Sequence, residues 1–469
     1  MKRSRYCFHI LVCLFALLHT YAKAQTNKTT PSAPVTQQKF LQLNYDEDYS
    51  WLSDKASRTG LWRNLKYIPL IGKSYFTLGG EVRPRLELRE HLKYGRGNED
   101  LGYDFQQRSR LWTDVRLLPS FRLFAELKSG TTYGLDYPAS PVDYNTIDLH
   151  QAFVEYSAHL SEGSKLYVRA GRQEILFGKA RLFDVRQPPN NRHSYDAARI
   201  GFKNKTWNLG LIAGAEEQDK KGSFDDGTNR NLKFAAAHLS RSLGSALPGS
   251  SVELLYIYTD KKASSSQIFI GKRNSLSARV SGVEGGLNYD VEVVGQAGKT
   301  AQGYNAQGWY LGTESSYTFR SSWHPHIGAR VDIGSGNSDS TSKDNSAYDY
   351  LWSRGQSSIS DIGYTNVAAA GPSFGIKPNS KLAIDGTCQG LWRLTSEDGI
   401  YTLSGASLRK ATDGTSNYIG LRCVLKAEYQ LNKFLLFGGY INQTFKGTYL
   451  KESGSTDMCY ANIYSVFRF

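Results

Sequence analysis

The chain has little of what soluble enzymes are built on. It holds five cysteines in 469 residues, and its nine histidines are scattered. There is no Gly-x-Ser-x-Gly elbow, no His-Glu-x-x-His pair and no phosphate-binding glycine loop. A serine nucleophile, a zinc pair and a nucleotide cradle are therefore all unmarked. Long apolar runs are missing too. After the first two dozen residues no stretch reaches the roughly 18 apolar residues that a membrane-spanning helix needs.

The beginning of the chain explains its one apolar run. Lys2, Arg3 and Arg5 precede apolar residues from Tyr6 to about Leu18, and Ala22-Lys23-Ala24 has the small-x-small form of a cleavage site. Residues 1–24 read as a secretory signal, with Gln25 as the first residue of the mature chain. The run is too short for a retained anchor, and Cys13 lacks the small residue before it that a lipoprotein signal needs. Removing the four basic residues of this segment lowers the formal charge from +14 to +10. Cys7 and Cys13 leave with it. Cys388, Cys423 and Cys459 each share a period-two face with apolar residues and read as small outward positions, neither a disulfide nor a metal set.

What is abundant is glycine and tyrosine, 45 and 30 residues, at a mean hydropathy of −0.45. Strands that meet lipid on one face and water on the other average to such a polarity, and tyrosine suits the two interfaces. The last eleven residues have that form. Phe469, Phe467, Ser465, Ile463, Ala461 and Cys459 share one face, while Arg468, Asn462 and the Tyr464 and Tyr460 hydroxyls share the other. An aromatic final residue on such a strand resembles the closing strand of a Gram-negative outer-membrane barrel.

The same period recurs near the start. Phe76, Leu78, Val82, Leu86 and Leu88 oppose Glu81, Arg83, Arg85, Glu87 and Arg89. Leu111, Thr113 and Val115 then oppose Arg108, Arg110, Asp114 and Arg116, and Leu123, Ala125 and Leu127 oppose Arg122, Glu126 and Lys128. Tight links at 118–120, 159–164, 203–206, 320–324, 377–380 and 430–433 alternate with polar loops near 129–145, 176–195, 217–230, 260–273, 335–360, 395–415 and 446–457. The pattern predicts an all-β fold, a transmembrane antiparallel β-barrel of about 18 strands with short periplasmic turns and long extracellular loops. The strand boundary is blurred around 281–287. Residues 25–73 are irregular and polar, a periplasmic lead-in, and residues 74–469 form the barrel.

Several segments carry a family resemblance. They are Leu78-Gly-Gly-Glu-Val-Arg-Pro-Arg85, Asp148-Leu-His-Gln-Ala-Phe153, Gly171-Arg-Gln-Glu-Ile-Leu-Phe-Gly178, Pro189-Asn190, Ser194-Tyr-Asp196, Trp392-Arg393 and Asp398-Gly-Ile-Tyr401. In this order they resemble the alginate export family of outer-membrane proteins. The resemblance implies an 18-stranded barrel through which a secreted polyuronate leaves the cell along an arginine-rich lumen. The Ser-rich stretch 332–350 is less acidic than the family pattern.

Arginine suits that task. Its planar fork holds carboxylates, stays charged and sheds water more readily than lysine. The expected lumen and constriction residues are Glu81, Arg83, Arg85, Arg108, Arg110, Asp114, Arg116, Lys128, Arg169, Arg186, Arg192, Asp196, Arg199 and Arg393. Structural ion pairing with the interspersed acids is the plainer role for any one of them. The segment 171–199, around Pro188-Pro189, reads as the loop that narrows the pore, and His150 as a hydrogen-bonded wall residue. Asp339 and Asp344 match no standard calcium spacing. The expected function is an outer-membrane, anion-selective channel for an alginate-like polysaccharide. The alternatives are a porin for uptake of small organic anions and, from another class, a barrel hydrolase. No cofactor, metal or nucleic acid is expected. The expected partners are the anionic polymer, outer-membrane lipid and periplasmic secretion proteins, around a monomeric barrel.

Overall fold

A strand with one apolar face is stable in a bilayer only if both of its edges are paired, so a closed sheet is required. The computed structural model describes residues 40–96, 101–135, 139–161, 163–262, 269–352 and 362–469. Among these residues eighteen strands close into one antiparallel barrel. They are β1 Tyr75–Glu90, β2 Leu101–Leu117, β3 Phe121–Tyr133, β4 Asn145–Ser161, β5 Ser164–Gln173 and β6 Tyr195–Lys203. Next come β7 Trp207–Gln218, β8 Gly227–Ser242, β9 Ser250–Lys261, β10 Gly271–Glu284, β11 Leu287–Thr300 and β12 Asn305–Thr318. The wall ends with β13 His326–Gly334, β14 Val367–Ile376, β15 Leu382–Arg393, β16 Tyr418–Gln430, β17 Leu435–Lys446 and β18 Met458–Arg468. The signal segment 1–24 and the lead-in up to residue 39 lie outside the described residues.

The barrel closes where β1 meets β18, with Glu81 opposite Arg468 and Leu86 opposite Ile463. Leu86 and Ile463 are exposed there, as the lipid-facing reading requires, and Arg468 turns inward to Glu81 at 2.7 Å. Cys459 and Ala461, expected to face lipid, are buried. A short α-helix, α1 Gly60–Lys66, covers the periplasmic end of this seam. Its Trp62 ring packs on Phe434, Phe467 and Phe469, and Lys66 Nζ donates to the Phe469 carbonyl at 2.8 Å.

Connections on one rim are short, and most on the other are long. The blurred boundary near 281–287 proves to be a two-residue hairpin. Glu284 pairs with Leu287 across Gly285 and Gly286, whose φ of 58° and 96° only glycine adopts readily. The link 301–304, on the long-loop rim, is itself short.

One expectation is overturned. Cys388 and Cys423 do point outward, but they stand directly opposite each other on β15 and β16, with Cα atoms 4.1 Å apart, and form a disulfide. Facing cysteines in one register position need no backbone movement to bond.

Candidate functional site

The inner face of β1–β5 carries charge, and most of it is paired with opposite charge, Arg85 with Glu87 at 2.7 Å included. Glu81 accepts Arg108 Nε at 2.9 Å and faces Arg110 at 3.8 Å, besides Arg468. Arg110 pairs with Glu126 and lies 3.6 Å from Glu174. Asp114 takes Arg122 at 2.7 Å and Arg116 at 3.0 Å, and Glu155 takes Arg169 Nε at 2.8 Å. Lys128 sits among Glu217, Asp219 and Asp226 at 3.0, 2.6 and 2.9 Å. Arg172 holds Asp196 at 2.8 Å, and Arg186 reaches Glu216 at 3.3 Å. Buried charges persist only when paired in this way.

A second set of arginines is directed at backbone. Loop 174–194, between β5 and β6, folds into the lumen. Pro188 and Pro189 have no N–H, so this stretch cannot close turns of its own on those residues, and its carbonyls remain open to outside donors. Arg83 donates to the carbonyls of Gln187 at 2.8 Å and Pro189 at 3.0 Å, Arg108 to Gln187 at 3.0 Å, and Arg85 to Pro188. The loop's two ends are latched by side chains. Glu174 accepts Arg192 Nη2 at 2.7 Å and bonds His150 Nε2 at 2.9 Å. Burial pushes the Glu174 carboxyl up, but Arg192, Arg110 and His150 outweigh it and hold it well below the usual carboxylate range.

The far side of the lumen adds an apolar cluster among buried ion pairs such as Arg181–Asp290 and Arg330–Asp332, which the alternation in β1–β3 does not foretell. Inward residues Ile212, Phe234, Leu255, Ile257 and Val294 pack with Phe183 of the same loop and with Tyr348 and Trp352 of loop 335–366. The Phe183 and Trp352 rings stack at 4.5 Å. The described residues of two long loops therefore turn inward and support each other. Arg393 is not part of the arginine cluster. It lies over Tyr449, 3.9 Å from the ring centroid, and donates to the Ser416 carbonyl at 2.7 Å. Arg199 stands over Tyr167 and Phe177.

The lead-in is the part of the site that the sequence reading left outside. Its described residues do not stay clear of the wall. Asn44 Nδ2 donates to Glu126 at 2.6 Å, the Tyr45 hydroxyl to the Glu174 carbonyl at 2.8 Å, and Arg192 Nη2 to the Gln42 carbonyl at 2.9 Å. Tyr45 is buried among Phe124, Phe153 and Trp112. The crowding of Tyr45, Tyr49, Trp51 and Trp62 in a polar stretch is the signal that marks a packed segment.

Two carboxylate groups could suggest a cation. Glu217, Asp219 and Asp226 already share Lys128. Asp148 accepts the backbone N–H groups of Asp225 and Asp226 at 2.8 and 3.0 Å. Asp339 and Asp344 bond local donors, Thr341 and Asn305.

An eighteen-strand barrel with inward loops and an arginine face is the setting in which the comparisons fall. The alginate export family matches residues 74–462. This chain belongs to the alginate export family. Among curated proteins no match is found. Solved structures of similar fold include Pseudomonas aeruginosa OccK8 (OprE), 11% identical, covering 84% of this chain and 98% of that one, with a TM-score of 0.57. The BenF-like porin from Pseudomonas fluorescens Pf-5 is 8% identical, with coverage of 84% and 98% and a TM-score of 0.56. Pseudomonas aeruginosa OccK2 (OpdF), in a complex with glucuronate, is 11% identical, with coverage of 84% and 98% and a TM-score of 0.53. This alginate export family barrel is an outer-membrane channel of a bacterium.

Proposed function

We propose that this channel passes an anionic polysaccharide of the polyuronate kind, with loop 174–194 as its movable constriction. One observation carries the reading: Arg83, Arg85 and Arg108 direct donors at the carbonyl oxygens of Gln187, Pro188 and Pro189. A carboxylate makes the same geometric demand on a guanidinium and binds it more strongly. A polymer with a carboxylate on each sugar can therefore take the loop's place one unit at a time, and weak repeated sites permit passage. The family, and a neighbour in fold that holds glucuronate, support the reading. On it, residues 1–24 are cleaved, the barrel acts as a monomer, and a periplasmic partner delivers the polymer, since a passive pore has no energy source.

A second reading, uptake of small organic anions, is favoured by the porin neighbours. Single-channel recordings in planar bilayers separate the two. Polyuronate should block ion current at submillimolar concentration, and the pair Arg83→Ala with Arg85→Ala should weaken block by about tenfold or more. Insensitivity to polymer with ready passage of small acids would overturn export. Unchanged anion preference in the double variant would overturn the role of these arginines.

A further inference from the structure

The segment Asn44-Tyr45-Asp46 occupies a slot whose chemistry is that of a sugar-acid site. Phe124 on β3 and Phe153 on β4 are register partners, and their rings stack at 5.1 Å with 12° between planes, giving an aromatic floor. Tyr45 meets both rings edge-on, at 6.2 and 5.6 Å and 82° and 88°. The Arg169 guanidinium lies 4.3 Å from the Tyr45 and Phe153 centroids alike. Arg122 donates to the Tyr45 carbonyl at 2.5 Å, while the Asn44 amide sits between Glu126 and Gln151 at 2.6 and 3.2 Å.

Each contact of the segment has a counterpart in a uronate unit. The C–H groups of a pyranose ring pack against aromatic side chains as the Tyr45 ring does. A carboxylate replaces the Tyr45 carbonyl at Arg122, and hydroxyls replace the Asn44 amide at Glu126 and Gln151. Arg122 and Arg169 also have wall carboxylates, Asp114 and Glu155, so the slot keeps its shape when its occupant leaves.

We propose that this slot is a binding subsite for one uronate unit on the periplasmic half of the lumen, with residues 44–46 as its tethered competitor. The proposal rests on the polyuronate reading above. A tethered segment acts at an effective concentration near the millimolar range, so a single free unit competes poorly. A chain of units, delivered many at a time, competes well.

The test compares the full chain with Asn44→Ala/Tyr45→Ala in planar bilayers, using alginate oligomers and a neutral malto-oligomer as probes. The double variant should conduct ions better and be half-blocked by the acidic oligomer at about one-tenth of the wild-type concentration, with the neutral oligomer unchanged. Adding Phe153→Leu should remove that gain. A peptide of residues 40–50 added from the periplasmic side should close the opened channel and raise the blocking concentration again. Heat-modifiable gel mobility checks that each barrel is folded, and the peptide arm needs no wall substitution. Higher conductance with unchanged block would leave a plug without a subsite and overturn the proposal. Unchanged conductance, block and peptide response would overturn it as well. Absence of oligomer block in every form, with conductance still raised by the double variant, would instead overturn the polyuronate reading itself.

Discussion

Glu174→Gln is the substitution that most directly asks what keeps loop 174–194 inside the barrel. The wild-type carboxylate is fully buried and is shared by Arg192, Arg110 and His150. The amide keeps the shape and one oxygen but removes the charge. Breaking a buried pair by removing one partner costs about 3–5 kcal/mol. Arg110 retains Glu126 and Glu81, and Arg192 retains the Gln42 carbonyl, so the low end applies here, about 3 kcal/mol. That is a shift of more than a hundredfold between loop-in and loop-out states, at about 1.4 kcal/mol per decade. Because Arg192 also holds Gln42, the N-terminal segment should loosen with the loop.

The assay is single-channel conductance with hydrogen exchange at residues 174–194, alongside the thermal midpoint of the barrel. The variant should show longer or more frequent high-conductance events and faster exchange in the loop, with the strand amides unchanged. The pH dependence follows from the depressed carboxyl. A group held below its unfolded value gives stability that is present above the unfolded pKa and lost as pH falls through the folded one. The unfolded value is about 4.3 and the folded one lies well below it, so this latch should hold unchanged from pH 8 down to pH 5. If the variant matches wild type in conductance and loop exchange, the latch reasoning is refuted. An opening of wild type between pH 8 and 5 that the variant lacks would refute the charge assignment.

Lys128→Ala should leave Glu217, Asp219 and Asp226 without their shared cation, destabilising loop 219–226 by about 3 kcal/mol or more. Millimolar Mn²⁺ should restore the thermal midpoint of that variant, since three convergent carboxylates suit a hard cation; equal stabilisation of wild type would contradict this. Replacing Cys388 and Cys423 together by serine removes a cross-link that spans 35 residues, a loss of at most about 3–4 kcal/mol in the chain-entropy account. Reductant should lower the denaturant midpoint of wild type by more than that of the double variant; equal sensitivity would count against the bond.

The wall was legible because period-two alternation with punctuating turns is a local property. Thr77 to Arg89 on β1 and Arg108 to Arg116 on β2 present the faces that the sequence assigns them. The hairpin at Gly285-Gly286 was obscure because two glycines continue the strand pattern to the eye. The arginine face was legible, but its partners were not. Arg83 bonds backbone oxygens 104 and 106 residues away, and a carbonyl has no side-chain signature. The disulfide was hidden for a related reason: which outward cysteine meets which depends on the register between β15 and β16. The inward course of residues 40–54 depends on fit to Phe124 and Phe153, which no local pattern encodes.

Glu81 shows why such a lumen cannot carry arginine alone. The carboxylate bonds Arg108 on β2 and Arg468 on β18 and lies near Arg110, so one side chain of β1 ties both neighbouring strands. The β1–β18 pair also lacks one donor, because Pro84 has no N–H to give. The ionic tie of Glu81 to Arg468 therefore reinforces a pairing that has lost a backbone donor. The acids that lower the positive potential of the pore are the same groups that hold its first strand to its second and its last. On the proposed reading, selectivity for anions rests on Arg83, whose partners are the uncharged carbonyls of Gln187 and Pro189, so that it gives up no acid when a carboxylate arrives.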